Sequence, residues 1–110
     1  MNKTTPARRR GRSRRLQDLP AAAAEAAALL RAMANPQRML VLCHLADGEQ
    51  SVGALQGQLG ISQSALSQHL AKLRDGELVS TRREAQTVFY SLPDGPVRAV
   101  MATLHDIYCA

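Results

Sequence analysis

Residues 61–75 read ISQSALSQHLAKLRD, and the spacing of their polar and apolar side chains is the most informative pattern in the sequence. Ser62 is a good N-cap, since its hydroxyl can accept a hydrogen bond from an unpaired backbone N–H at a helix start. Leu66, Leu70 and Leu73 then recur at i, i+4 and i+7, which places them on one face of an α-helix. The stretch predicts an amphipathic helix whose other faces carry Gln63, Ser64, Ser67, Gln68 and Lys72.

The neighbouring segments predict that this helix belongs to a winged helix-turn-helix. Ser51 can cap a short helix over 52–59, and Gly60 supplies a left-handed turn before the next helix. After it, LVSTRRE (78–84) and TVFYSL (87–92) carry the β-branched and aromatic residues of a hairpin around a short polar link. A tight turn between two helices lets the first brace the second, whose N-terminal side chains enter the major groove of DNA.

Short hydrogen-bonding side chains on the second helix favour contact with base edges, because glutamine can bond adenine in a bidentate way and serine can reach a base or phosphate. A merely solvated face is the alternative, but such faces are usually rich in Glu and Lys. His69 fits a packed histidine as well as a DNA contact. The residues predicted to read bases are Gln63, Ser64, Ser67 and Gln68, and those predicted to meet the DNA backbone are Lys72, Arg74, Arg82 and Arg83.

Three further helices are predicted around this unit. The alanine-rich run from Pro20 to Ala34 forms the first, and Asn35-Pro36 reads as an N-cap and first-turn proline opening a second helix to about Ala46. From the helical repeat of apolar residues in that second helix, we expect Cys43 to face inward or sideways. Residues 97–109 form the last helix, giving a mainly α fold of order ααααββα with a small β-hairpin wing. The terminal helices are the predicted homodimer surface, and a two-fold dimer fits a pseudo-palindromic duplex.

Charge in this chain is concentrated at its start. The net charge is +5, yet residues 1–15 hold seven of the fourteen basic residues and no acid, so the remainder carries a net −2. We predict that residues 1–18 are a disordered Arg-rich arm and residues 19–110 the DNA-binding and dimerisation domain. This arm either contacts the phosphates of DNA or serves only to keep the protein in solution. With no apolar run long enough for a membrane helix, we expect a cytoplasmic protein.

The two cysteines, Cys43 and Cys109, are too few for a secreted disulfide scaffold. Structural, metal-binding and redox roles remain open for them. A thiol enzyme using Cys43 would need a base, an activated thiol and a substrate pocket, and no such constellation is evident. A winged helix that binds only protein is the other alternative. No catalytic residue and no cofactor are predicted.

The segments ISQSALSQHLAKLRD, LVSTRRE and TVFYSL together resemble the winged helix-turn-helix of the ArsR/SmtB repressor family, over about residues 20–109. Within it, ANPQRMLVLCHLADGEQSVGAL (34–55) and LHDIYC (104–109) resemble the persulfide sensors of the BigR/SqrR type. The resemblance implies a dimeric repressor that leaves its operator when persulfide or polysulfide links Cys43 to Cys109. We also expect Cys43 to react first, because Asp106 and the helix C-terminus disfavour a thiolate at Cys109.

A metal ion is the rival inducer, with Cys43, His44, His105 and Cys109 as candidate ligands. The metal sites of the family are not matched, since Leu42-Cys43-His44-Leu45 stands where its Cys-x-Cys pair would lie.

Two turns also depart from the family pattern. Gly76-Glu77 reverses the usual Glu-Gly, and Ala85 stands where the wing turn usually has glycine. Both departures affect turn geometry and hence the conformation of the wing.

Overall fold

The computed structural model describes residues 16–109, which form five α-helices and three short strands after a 3₁₀ turn at Leu16–Asp18. The predicted arm falls largely on residues 1–15, outside the described range, although residues 16–18, expected to be disordered, form this turn. The elements in chain order are α1 (Leu19–Met33), α2 (Pro36–Ala46), β1 (Gln50–Ser51), α3 (Val52–Leu59), α4 (Gln63–Asp75), β2 (Ser80–Glu84), β3 (Thr87–Ser91) and α5 (Pro96–Tyr108).

Side-chain caps begin the three central helices, as the sequence predicted. Asn35 Oδ1 accepts hydrogen bonds from Gln37 N and Arg38 N at 2.9 and 3.1 Å. Ser51 Oγ accepts from Ala54 N at 3.0 Å, and Ser62 Oγ accepts from Ala65 N at 3.1 Å. Each bond satisfies a backbone donor that the helix itself leaves free, which is why these helices start where they do.

The strands form one antiparallel sheet in the order β1-β3-β2. In the hairpin, Arg82 pairs with Phe89 and Glu84 with Thr87, so residues 85 and 86 make a two-residue loop. On the other edge of β3, Ser51 pairs with Phe89 and Gln50 with Tyr90. The sequence predicted the hairpin but not β1, so the observed order is ααβααββα.

A core of aliphatic side chains joins the helices to the sheet. The leucine stripe of α4 is buried as predicted, and Leu55 of α3 packs in the same core. From the sheet side, Leu78, Tyr90 and Leu92 complete it, together with Val97 and Met101 of α5; the remaining members are Met33, Val41, Leu42, Leu45 and Val79. Within this core α4 packs against α2 and α1, which leaves its polar face outward.

The terminal helices keep much of their apolar surface exposed. Of the 15 residues of α1 only Met33 is buried, and Leu30 is 54% exposed. At the end of α5, Ile107 and Tyr108 are 63% and 80% exposed. These faces are available to pack against another surface. Within residues 16–109, none of the helices has the length and apolar character needed to cross a membrane.

The two departures at turns both carry a positive φ on a residue with a side chain. Glu77 has φ 62° and Ala85 has φ 55°, whereas Gly76 has an ordinary φ of −85°. The hydrogen bonds Glu77 N to Arg74 O and Leu78 N to Leu73 O, both 2.9 Å, end α4 in a Schellman motif with Glu77 at the left-handed position. Glycine normally occupies this position, so Glu77 strains the turn that leads to the wing.

Candidate nucleic-acid interface and thiol pair

The polar face of α4 is exposed at every position predicted to read bases. Because the leucine stripe packs inward, Gln63, Ser64, Ser67 and Gln68 are all exposed, and Lys72 continues the same surface. Gly60, at φ 67°, turns the chain sharply between α3 and α4. The exposed start of α4, residues 62–67, therefore presents short hydrogen-bonding side chains at the point where this helix would enter the major groove of DNA.

Two residues near this face have partners that the sequence did not reveal. His69 is half-buried, with Nδ1 3.4 Å from Arg38 Nη1, so it is the packed histidine rather than a free side chain. Burial, followed by the positive charges of Arg38 and Lys72, lowers the pKa of His69. Arg74, predicted to meet the DNA backbone, donates a 2.5 Å hydrogen bond to the hydroxyl of Tyr90.

In the wing, Arg82 and Arg83 are both exposed but differ in their surroundings. Arg82 donates two hydrogen bonds of 2.8 Å to the carboxylate of Glu49 and lies 4.5 Å from the centroid of the Phe89 ring. The bond to Arg82 lowers the pKa of Glu49, and Glu49 in turn raises the pKa of Arg82. Glu49 was not singled out from the sequence, because it lies 33 positions from Arg82.

The two cysteines come together on one side of the molecule. Cys43 lies on α2 and Cys109 directly follows α5, and both are exposed free thiols. The expectation that Cys43 faces inward or sideways is wrong, since the buried face of α2 is formed by Val41, Leu42 and Leu45. Both thiols line one cavity of about 420 Å³ with five other residues: Met39, Met101, Leu104, His105 and Tyr108.

The environment of Cys43 also alters its acidity. Burial raises the pKa of the Cys43 thiol, and negative charge on Cys109 and Asp47 raises it further. The expectation that Cys43 reacts first rested on a penalty at Cys109 alone. Since the Cys43 thiolate is itself disfavoured, that reasoning no longer orders the two thiols.

A metal site is not assembled in the part of the chain that the structure describes. Among residues 16–109, no group of three or more His, Cys, Asp or Glu side chains is placed to hold a metal ion. His105 lines the cavity beside both thiols, but its Nδ1 lies 4.0 Å from the carboxylate of Asp106.

Comparison with known proteins gives consistent matches over nearly the whole described range. The family described as "Bacterial regulatory protein, arsR family" matches residues 35–81. The chain is 52% identical over 100 residues to the transcriptional activator HlyU of Vibrio cholerae, covering 91% of this chain and 93% of that protein.

Solved structures agree with the fold. Reduced HlyU from Vibrio cholerae superposes with a TM-score of 0.82 at 54% identity, covering 86% of this chain and 100% of that one. The transcriptional repressor BigR from Xylella fastidiosa gives 0.78 at 38% identity, covering 88% and 99%. The homodimeric winged helix-turn-helix DNA-binding domain of Mb0332 from Mycobacterium bovis gives 0.75 at 27% identity, covering 86% and 88%.

Proposed function

The chain belongs to the ArsR family of bacterial regulatory proteins, and we propose that it is a dimeric repressor that persulfide or polysulfide releases from duplex operator DNA. The observation that carries this proposal is the placement of Cys43 and Cys109 on a shared cavity that no residue of α4 lines. The relatives include both a named activator and a named repressor, so repression is part of the proposal.

DNA recognition is assigned to the exposed start of α4 and to the wing. Glutamine and serine at this helix start suit base edges, with Gln63, Ser64, Ser67 and Gln68 in that role and Lys72 on a phosphate. One helix reads only a few base pairs, so two copies on half-sites about one helical turn apart supply useful affinity. The exposed apolar faces of α1 and α5 support dimerisation through the terminal helices.

The sensing chemistry needs only the two thiols and a carrier of sulfane sulfur. One cysteine thiolate attacks the outer sulfur of RSSH, forming a cysteine persulfide and releasing RS⁻. The second thiolate then attacks the inner sulfur of that persulfide, releasing HS⁻ and leaving a disulfide between Cys43 and Cys109. A longer polysulfide leaves additional sulfur atoms in the bridge, which relaxes the approach of about 7 Å that a direct disulfide demands of the Cα atoms.

Such a bridge ties α2 to the end of α5 and thereby links the sensor to the dimer surface. A tether between these elements changes how the two recognition helices are spaced across the dimer. A coupling of about 1 to 3 kcal/mol, typical of allosteric proteins, corresponds to roughly a 5- to 150-fold loss of operator affinity.

The test is operator binding before and after treatment of the fully reduced protein. A duplex selected from a random-sequence library by the reduced protein is labelled, and affinity is measured by fluorescence anisotropy in buffer, with polysulfide, with a disulfide stressor and with zinc. We expect loss of affinity with polysulfide and none with zinc, and a disulfide stressor that forms the same disulfide between Cys43 and Cys109 should also release the duplex. Cys43→Ser and Cys109→Ser, which differ by one atom from the native chain, keep reduced-state affinity and lose the response. Release by zinc, or a polysulfide response in both variants, contradicts the proposal.

A further inference from the structure

The outer strand of the wing has no side chain in the core. All five residues of β2 are exposed, whereas β3 is anchored on one side by β1 and by the buried ring of Tyr90. A hairpin held only by the backbone bonds between its two strands is marginally stable in water. Any additional anchor of β2 therefore decides how firmly the wing keeps its position.

Arg82 provides such an anchor across the whole sheet. Its register partner on β3 is Phe89, whose own partner on β1 is Ser51, so the three residues form one row. The guanidinium passes over the Phe89 ring and bonds both carboxylate oxygens of Glu49, which immediately precedes β1. Because adjacent strands lie about 4.8 Å apart, this one side chain spans from the outer strand to the opposite edge.

The charge of Arg82 is already balanced within the protein. Glu49 accepts its bidentate bond, and Glu84 Oε1 lies 3.5 Å from its Nη1. Arg83, the next residue, points to the opposite face of the strand by the alternation of β structure. Within the described part of the chain, Arg83 forms no salt bridge or side-chain hydrogen bond, so its charge is available to DNA.

We propose that Arg82 is a positioning residue that locks the wing to Glu49, and that the phosphate contact of the wing belongs to Arg83. This inference rests on the DNA-binding part of the proposed function and reverses the simple expectation that both arginines touch the DNA backbone. It also assigns Glu49, an acidic residue that would ordinarily oppose DNA binding, a supporting role in it.

Three variants separate the two roles, with affinity for the selected duplex measured over a range of salt. Glu49→Gln and Arg82→Lys should each weaken reduced-state binding by about two- to fivefold, the range of well-formed exposed ion pairs, with the salt slope unchanged. Arg82→Lys keeps the charge but loses the fork that binds both oxygens. Arg83→Gln should lower the salt slope by about 0.9, the loss of one phosphate contact.

A second readout follows the wing in the free protein, independently of DNA. In Glu49→Gln, amide hydrogen exchange over residues 80–84 should become faster while the unfolding temperature stays unchanged. Tighter binding with a steeper salt slope in Glu49→Gln would mean that Arg82, once freed, contacts phosphate, and it overturns the proposal. Unchanged exchange in β2 also overturns it. If the native protein binds no duplex, the proposed function fails while the exchange experiment still decides the anchor.

Discussion

The end of α4 contains a strained residue whose replacement should stabilise the protein. Glu77 holds φ 62° at the left-handed position of the Schellman motif, where an L side chain brings its Cβ close to the carbonyl oxygen. Glu77→Gly removes that Cβ and leaves both turn hydrogen bonds in place. We therefore predict that Glu77→Gly is more stable than the native chain.

The magnitude follows from two opposing effects. The left-handed conformation costs a residue with a side chain about 1–2 kcal/mol, and glycine avoids this cost. The larger unfolded-state entropy of glycine, however, lowers the stability of the folded protein by about 0.5–1 kcal/mol. The net gain is about 0.5–1 kcal/mol, which for a domain of this size raises the unfolding temperature by about 2–8 °C. The swapped order G76E/E77G should gain less, because a Cβ on Gly76 would lie 2.8 Å from Cδ1 of buried Leu78.

Thermal and urea unfolding at one fixed protein concentration measure the effect, since the unfolding midpoint of the proposed dimer would depend on concentration. Glu77→Ala is the matched control: it also removes the negative charge near the helix C-terminus but keeps the Cβ. The Gly variant should exceed the Ala variant by about 0.5–1 kcal/mol. Equal stability of the two variants would show that any gain comes from charge, and the strain argument would then be refuted.

Three other perturbations test the helix cap, the packed histidine and the thiol. Ser62→Ala removes the cap of α4 and should lower the free energy of unfolding, measured by urea titration, by about 1 kcal/mol. Ser67→Ala should weaken DNA binding without that loss of stability. Equal stability losses in the two variants would contradict both assignments. Because the pKa of His69 is lowered below its ordinary value of 6.5, its stability contribution is present above about pH 6.5 and lost as the pH falls. Unfolding temperature should thus fall less steeply below pH 6.5 in His69→Gln, and an identical pH profile would count against a lowered pKa of His69. Because burial raises the pKa of the Cys43 thiol, alkylation of Cys43 in the Cys109→Ser variant should still increase with pH where a free cysteine, with a pKa of about 8.5, has levelled off; a plateau at the same pH as free cysteine would exclude the raised pKa.

Local signals in the sequence were sufficient for the helices and the hairpin. The caps Asn35, Ser51 and Ser62 each accept a hydrogen bond from a backbone N–H three residues later. The leucine spacing of α4 directly indicates which face of that helix is buried. The exposed polar face of the same helix follows from that stripe. Family resemblance also located the two strained turns, because glycine is expected where Glu77 and Ala85 have positive φ.

Features that depend on distant partners were not predictable in this way. The strand β1 has two residues, and only its pairing with β3 defines it as a strand. Arg82 and Glu49 are separated by 33 positions, so no local sequence pattern predicts their ion pair. Cys43 was misplaced because the helical period allows several apolar positions on one turn, and tertiary packing chose Val41, Leu42 and Leu45 for the core.

The position of α2 explains how a bridge on one side of the molecule could act on the other. This helix packs against α1, α3, α4, α5 and β3, so it contacts both α4 and the inner strand of the wing. Its exposed face carries Cys43 toward Cys109, and its first turn carries Arg38, which bonds Ala32 O of α1 and His69 of α4. Interfaces packed as tightly as these shift as units rather than deform continuously. A tether that shifts α2 relative to α5 would therefore carry α4 along with α2, and in the proposed dimer this would change the spacing of the two DNA-reading faces.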